Sequence, residues 1–135
     1  MEESRNRSLV QGLYEAFGRG DIAAVLAGLT DDVTWNYHGP AVVPTSGSCS
    51  GREAVGAWFG VLAGAVEFEA FTPGSFFAQG DHVVVLGQET CRARSTGRSF
   101  TAAWVHVFQL KDGLVTAFDE FTDAGVLEKA FRADA

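Results

Sequence analysis

The sequence predicts an α+β fold in which helices cover the concave face of a curved antiparallel sheet. Three observations lead to this prediction: two helical patterns near the amino terminus, four strand patterns joined by tight turns in the second half, and a short helical pattern at the carboxyl end. Strands joined by tight turns pair antiparallel, and the apolar face of such a sheet needs helices to cover it. With 135 residues the chain can bury one core, so we expect a single domain over residues 1–135.

The first two helices are predicted from residue spacing and from a capping residue. A helix is expected over 3–17 because apolar residues recur there at intervals of three and four, namely Val10, Leu13, Tyr14 and Phe17. Gly18–Gly20 ends this helix, and the Asp21 carboxylate can accept backbone N–H groups at the start of a short second helix over 22–29. A turn is expected at Thr30–Asp32.

The next segment predicts a strand, a loop and a third helix. Alternating β-branched and aromatic residues favour a strand over 33–38, and the proline- and serine-containing stretch 39–50 favours a loop. Ser50 and Glu53 have the spacing of a capping box, in which each side chain satisfies a backbone donor at a helix start. The helix is expected to end between Leu62 and Gly64 and to present one apolar face, formed by Val55, Trp58, Phe59 and Leu62.

The second half of the chain predicts four consecutive strands and a final helix. The strands are expected at 66–78, 82–94, 100–110 and 114–122. Hairpin turns are expected between them at Gly80-Asp81, Ser95–Arg98 and Lys111–Gly113. Asp123 is expected to cap a helix over 124–131, although a catalytic role is an alternative for this carboxylate. A curved sheet with helices across its mouth would enclose a pocket.

Five segments that span nearly the whole chain carry a family resemblance. They are Leu13–Asp21, Leu29–Trp35, Thr96–Arg98, Val105–Gly113 and Phe118–Asp123. Together they resemble the SnoaL-like branch of the NTF2-like superfamily. The resemblance implies a cone-shaped, cystatin-like α+β fold and a homodimer. That superfamily includes ketosteroid isomerases, polyketide cyclases and limonene-epoxide hydrolases, so the fold alone does not determine the reaction.

Three titratable residues on neighbouring predicted strands are candidate catalytic groups. Because alternate residues of a strand share a face, Glu89, His106 and Glu120 each fall among apolar neighbours and could converge on the concave face. Burial among aromatic rings raises the pKa of a carboxyl group, so such a cluster could hold one acid and one base near neutral pH. The same residues could instead form a satisfied polar network or part of a dimer interface.

The family resemblance implies catalytic roles for some of these positions and not for others. It places Glu89 and Glu120 where limonene-epoxide hydrolases carry their two catalytic aspartates. This chain departs from those hydrolases at Gly87, which stands where they have the arginine that links the two acids, and at His38, near their water-binding asparagine. The ketosteroid isomerase set is also incomplete, since Tyr14 matches the oxyanion-hole tyrosine but its two acid positions hold Tyr37 and Val105.

An unusual content of large rings, 11 Phe and 3 Trp, predicts an apolar pocket for a small hydrophobic ligand or substrate. The candidate ligand-binding residues are Tyr14, Trp35, Tyr37, His38, Trp58, Phe59, Trp104 and Phe118. The tryptophans and Phe59 could equally be ordinary core, because a pocket wall and a core are both apolar. Tyr14 also fits the helix core, and His38 fits either a loop or the pocket rim.

Charge, cysteine content and missing motifs exclude several other classes. A net charge of −7 disfavours nucleic acid and anionic membranes as partners. Cys49 and Cys91 have no paired spacing and the chain opens with no secretory segment, so we expect a cytoplasmic location. No metal-site spacing and no nucleotide-binding motif is present, so neither a metal nor a cofactor is expected. The arginines of one hairpin favour a solvated face over an anion site, namely Arg92, Arg94 and Arg98.

These observations predict a cofactor-independent acid–base enzyme that acts on a small, largely apolar molecule by isomerisation, cyclisation or hydration, including epoxide opening. Two alternatives share the fold. One is a module that binds a small molecule without turnover, and the other is a dimeric scaffold whose own side chains fill the pocket. A homodimer is further favoured by the Val, Phe and Leu residues expected on the far face of the sheet.

Overall fold

Six strands and four helices form the structure, a computed structural model that describes residues 2–133. In chain order they are α1 (Glu2–Gly18), α2 (Ile22–Ala27), β1 (Leu29–His38), β2 (Gly47–Ser50), α3 (Arg52–Ala65), β3 (Val66–Gln79), β4 (His82–Ala93), β5 (Ser99–Lys111), β6 (Leu114–Thr122) and α4 (Ala124–Phe131). The strands make one curved sheet in the spatial order β2-β1-β6-β5-β4-β3. The predicted α+β fold is confirmed.

The four strands of the second half lie within one or two residues of their predicted ends, and the last helix spans 124–131 as predicted. The strands β3, β4, β5 and β6 each pair antiparallel with the next one along the chain. Tight turns with left-handed backbone join them, as at Gly80, whose φ is 59°. Local residue chemistry therefore determines this half of the sheet. Asp123 caps α4, because its carboxylate accepts the backbone N–H groups of Gly125 and Val126.

The expectation of an antiparallel sheet is wrong for one pair of strands. β1 lies beside β6 and runs parallel to it, with Tyr37 opposite Glu120, so the sheet is mixed. No hairpin joins these two strands, and turn chemistry therefore sets no direction for them. The parallel pair brings the first strand of the chain next to the last one.

The predicted turn at Thr30–Asp32 is also wrong, because β1 already begins at Leu29. Leu29 and Val33 are fully buried, and they anchor this strand in the core against the local turn preference of the two aspartates. The predicted loop 39–50 contains a short strand, β2, which pairs with β1. The second helix ends at Ala27, two residues earlier than expected.

The predicted capping box of the third helix does not form. Gly51 occupies the N-cap position with no side-chain hydrogen bond, because Ser50 belongs to strand β2. Arg52 anchors this end of the helix instead. Its guanidinium donates two hydrogen bonds to the carbonyl oxygen of Leu29, at 2.6 and 2.8 Å, and lies 3.2 Å from Asp31. Contacts between elements replace the local cap.

The three arginines near the β4–β5 hairpin bind other parts of the chain. Arg92 pairs with Glu67 at 2.7 Å, and Arg94 donates to the carbonyl oxygen of Ala63 near the end of α3. Arg98 donates to the carbonyl oxygens of Lys129 and Arg132 at the end of α4. Since the last carbonyls of a helix lack partners within it, Arg98 supplies a hydrogen-bond donor at the end of α4, as the Thr96 hydroxyl does for Ala130.

The outer face of the sheet carries exposed apolar side chains, among them Leu86 and Phe121. The homodimer stays a prediction, as does the cytoplasmic location. Across residues 2–133, none of the helices has the length and apolar character needed to cross a membrane.

Replacement of Arg98 by alanine should loosen α4 selectively, because it removes the donor to the carbonyl oxygens of Lys129, in the last turn of this helix, and of Arg132, its C-cap residue. We expect a loss of about 1 kcal/mol, which corresponds to roughly fivefold faster amide exchange in 124–131. Hydrogen exchange read by mass spectrometry checks this. Arg94→Ala is the matched control, since it affects the end of α3 and should leave α4 unchanged. Equal exchange of α4 in both variants would contradict the assignment.

Candidate functional site

The concave face of the sheet and the helices enclose a cavity of about 80 Å³. This space accommodates on the order of five water molecules or part of a small organic molecule. Apolar and aromatic side chains make up most of its wall. The polar residues that line it are Tyr14, Tyr37, Thr45, Glu89, His106 and Glu120. A few convergent polar groups in an apolar cavity are typical of a small-molecule site.

Strand register brings the polar groups together. Glu120 on β6 lies opposite His106 on β5 and, through the parallel pair, opposite Tyr37 on β1. Alternation along each strand turns these residues and Glu89 towards the concave face, and all four are buried. Glu89, His106 and Glu120 therefore line one cavity, which is the arrangement that strand parity suggests.

A line of polar contacts runs from α1 across the sheet to Glu120. The hydroxyl of Tyr14 lies 2.6 Å from Nδ1 of His106, within hydrogen-bond distance. Nε2 of the same imidazole lies 3.3 Å from Oε1 of Glu120, and the Thr122 hydroxyl donates to Oε2 at 2.9 Å. The Nε2 contact has the distance of an ion pair but not the alignment of a hydrogen bond, so we treat it as electrostatic.

Both tyrosines of the site stay protonated near neutral pH. Burial raises the pKa of Tyr14 well above its usual value, and the charge of Glu120 raises it further. Burial likewise raises the pKa of Tyr37, and Glu120 and Glu89 add to this effect. Hydrogen bonds with Thr122 and Thr45 oppose it in part. Each phenol can therefore act as a hydrogen-bond donor within the cavity.

Glu89 differs from Glu120 in its surroundings. Its side chain is buried, with 8% of the residue exposed, and no hydrogen bond from residues 2–133 reaches its carboxyl group. Burial, and then repulsion from Glu120, raises the pKa of Glu89 to about 8. Glu89 is therefore mainly a neutral acid at pH 7, whereas Glu120 has a hydroxyl donor and an imidazole beside it. The two carboxyl groups are equipped for different tasks.

Six of the eight predicted ligand-binding residues line the cavity, namely Tyr14, Trp35, Tyr37, Trp58, Phe59 and Phe118. Trp104 lies outside the lining and stacks on the His106 ring with a centroid distance of 3.9 Å. His38 lies on the outer side, where Nε2 is 2.8 Å from the Asp119 carboxylate. The alternation in β1 that turns Trp35 and Tyr37 inward turns His38 outward.

The structure adds wall residues that sequence reasoning did not select. Leu127 and Phe131 of α4 face the cavity, and their spacing of four residues on the predicted helix over 124–131 was an available signal. Val43 and Thr45 line the cavity from the loop before β2. The Trp58 indole donates to the carbonyl oxygen of Thr45 at 2.9 Å and holds this loop in place. Nothing in the loop's composition indicates that contact.

The carboxyl, imidazole and phenol groups of the site suit acid–base chemistry. Across the described range 2–133, no three side chains among His, Cys, Asp and Glu are grouped so that they could hold a metal ion. Cys49 and Cys91 are both free thiols, and burial raises the pKa of each.

Comparison with known proteins places the chain among the SnoaL-like and NTF2-like proteins. The SnoaL-like domain family matches residues 10–118. An NTF2-like protein from Burkholderia xenovorans LB400 is 31% identical, with a TM-score of 0.87 over 96% of this chain and 98% of that chain. An NTF2-like protein of unknown function from Burkholderia pseudomallei is 30% identical, with a TM-score of 0.85 over the same shares of the two chains. No protein of curated function matches the sequence.

Replacement of Glu89 by glutamine should change how stability depends on pH. Because the folded state raises the pKa of Glu89 from 4.5 to about 8, the folded protein holds more protons than the unfolded chain between these values. The free energy of unfolding therefore falls as pH rises through this window, by up to about 1.4 kcal/mol per pH unit. Glu89→Gln removes this contribution and should be more stable than the wild type at pH 8.

Urea denaturation at several pH values between 5 and 9 measures the effect. Glu69→Gln, at an exposed position on the neighbouring strand β3, is the matched control and should keep the wild-type slope. Parallel curves for the wild type and Glu89→Gln would show that Glu89 titrates alike in the folded and unfolded states.

Proposed function

This chain belongs to the SnoaL-like domain family, and we propose that it is a cofactor-independent enzyme that transfers protons on a small, uncharged, largely apolar carbonyl compound. One observation carries the proposal. Two buried carboxyl groups, Glu89 and Glu120, line the same aromatic cavity in unequal surroundings. Pairs of titratable groups whose environments separate their pKa values are the usual basis of acid and base assignments.

Glu120 is the base in this proposal. Its carboxylate takes a proton from the carbon next to the substrate carbonyl, and the electrons of the broken C–H bond form the C=C bond of an enol. Glu89 gives its proton, or a strong hydrogen bond, to the carbonyl oxygen. Where the substrate has a C=C bond one carbon further along, the enol is a conjugated dienol. Glu120 then returns its proton to the far end of the diene, the enol O–H proton goes back to Glu89 and the C=O bond re-forms, so the C=C bond has moved and the isomerisation is complete. Positioned acids and bases of this kind contribute about 10²- to 10⁴-fold each to rate.

Neighbouring groups orient the base. Thr122 donates to Oε2 of Glu120, and His106 lies beside Oε1, so both oxygens have a fixed neighbour. Tyr14 holds the opposite side of the imidazole. Tyr37, directly opposite Glu120 in register, is a further donor to a developing enolate oxygen. These contacts limit the motion of the base before substrate arrives.

The wall of the cavity selects the substrate by charge and shape. Its described lining contains two carboxyl groups and no lysine or arginine, so a carboxylate or phosphate would meet an unfavourable potential. Flat aromatic rings form much of the wall, and two of them, Trp35 and Phe118, stack on each other with a centroid distance of 4.0 Å. We therefore propose a neutral substrate with an apolar ring or chain next to its carbonyl group.

Proton abstraction can be measured directly with a small ring ketone. We expect the protein to speed the exchange of α-protons of 2-tetralone for deuterium in D₂O, followed by proton NMR. Glu120→Gln keeps the shape of the side chain but lacks the base, so exchange should fall by about 10²-fold or more while the ketone still binds. Glu69→Gln is the control with an equal charge change outside the cavity.

Other outcomes of this experiment identify the competing functions. Binding of the ketone without exchange would indicate a binding module. Hydrolysis of styrene oxide without ketone exchange would indicate an epoxide hydrolase, in which Glu120 activates water and Glu89 protonates the epoxide oxygen.

The pH dependence of exchange should report Glu89. Because Glu89 acts as an acid and its pKa is about 8, the rate should decline as pH rises through this value and Glu89 loses its proton. Glu89→Gln should be slower at pH 7 and should lack this decline, since the amide does not titrate. A decline of the same midpoint in both proteins would assign it to another group.

A further inference from the structure

Gly87 lies in strand β4 directly opposite Trp104 in β5. A β carbon at position 87 would lie 2.2 Å from Cζ2 and 2.3 Å from Cη2 of the Trp104 indole. Real carbon atoms do not approach so closely without bonding, so only glycine leaves room for this ring. The backbone at Gly87 is not in the left-handed region that favours glycine. Space, rather than conformational freedom, therefore explains the residue.

The Trp104 indole uses this space to lie against His106. The two rings are nearly parallel, with a centroid distance of 3.9 Å and an angle of 16° between their planes. Residues two apart in a strand are separated by roughly 6.7 Å along the chain. The indole must therefore lean along the sheet, across β4 at Gly87, to reach the imidazole. It also stacks on Phe71, with a centroid distance of 5.1 Å.

The polar atom of the indole does not explain its placement. Trp104 is 1% exposed, and its Nε1 has no hydrogen-bond partner among residues 2–133. A buried N–H group without an acceptor destabilises a fold, and phenylalanine at this position would avoid that cost. The indole instead makes stacking contacts through the face of its ring. The large ring therefore serves the stack with His106 and Phe71.

We propose that Gly87 and Trp104 are positioning residues for His106. The glycine admits the indole, and the indole fixes the plane of the imidazole, so that Nδ1 meets the Tyr14 hydroxyl while Nε2 faces Glu120. Phe118 packs against another side of the imidazole, with a centroid distance of 5.0 Å and an angle of 66° between the ring planes. This assignment rests on the proposed function for its catalytic meaning, but the geometry can be tested without turnover.

Nuclear magnetic resonance of the histidine rings tests the stack. The chain has three histidines, and His82 is exposed and outside the cavity, so its ring protons are an internal reference. The ring protons of His106 should resonate well upfield of those of His82 because they lie over the indole face. An Overhauser contact should connect the His106 ring to Tyr14. Trp104→Leu should abolish the upfield shift and weaken that contact, and Trp104→Phe should have a smaller effect.

A double-mutant cycle tests the part played by Gly87. Gly87→Ala should lower the melting temperature by roughly 5 to 10 °C, the effect of overpacking, and should displace the His106 signals. In the Trp104→Leu background the same substitution should have little effect, because the obstructing ring is gone. Gly60→Ala, where an added methyl group meets no atom within 4 Å, is the matched control.

The results separate this inference from the proposed function. The positioning role would be overturned if the His106 ring protons of the wild type showed no upfield shift. It would also be overturned if Gly87→Ala lowered the melting temperature equally in the wild-type and Trp104→Leu backgrounds. In the ketone assay, Trp104→Phe should lower kcat and leave KM nearly unchanged, since Trp104 does not line the cavity. If the wild type shows no exchange at all, the proposed function fails, while the resonance data and the cycle still decide the role of Gly87 and Trp104.

Discussion

The electrostatic properties of the whole cavity depend on the interactions of one buried carboxyl group, that of Glu120, with the polar side chains around it. Glu120 lies opposite His106 on one side and Tyr37 on the other, and Thr122 donates to it. Because these groups are buried, where the effective dielectric constant is lower than in water, a charge on Glu120 acts on all of them. It is the second cause, after burial itself, of the raised pKa of Tyr14, Tyr37 and Glu89. Burial and the charge of Glu120 together favour the protonated form of these three groups, which supplies hydrogen-bond donors and an acid in a single cavity.

This arrangement has a cost in stability that the surrounding aromatic shell offsets. A buried carboxyl group such as Glu89, to which no residue in the described range 2–133 donates a hydrogen bond, is unfavourable in any fold. Stacked and edge-to-face rings pack around the cluster, among them Tyr14 with Phe76 and Trp35 with Phe118. Such pairs contribute about 0.5 to 1.5 kcal/mol each beyond their buried area. Local destabilisation that the rest of the fold tolerates is common at functional sites.

Contacts between separate elements hold the parts of the chain that close the cavity. The loop before β2 is held to α3 through the Trp58 indole, and α4 is held to the β4–β5 hairpin through Arg98. Behind the imidazole, Gly87 admits the ring that supports it. The orientation of the imidazole and the position of α4 thus depend on residues that do not line the cavity, namely Gly87, Trp104 and Arg98. Substitutions there should change the site without touching it.

The sequence by itself determined the helices and strands whose signals are local. Periodicity and turn residues located the β3–β6 meander and α4, and strand parity identified Glu89, His106 and Glu120 as inward-facing polar residues. Only the tertiary structure decided the parallel pairing of β1 with β6 and the stack of Trp104 over Gly87. The physical reason is the distance along the chain over which each effect acts. Backbone propensity and alternation act between neighbours in the chain, whereas the order of strands and the space beside a side chain depend on residues far away in sequence.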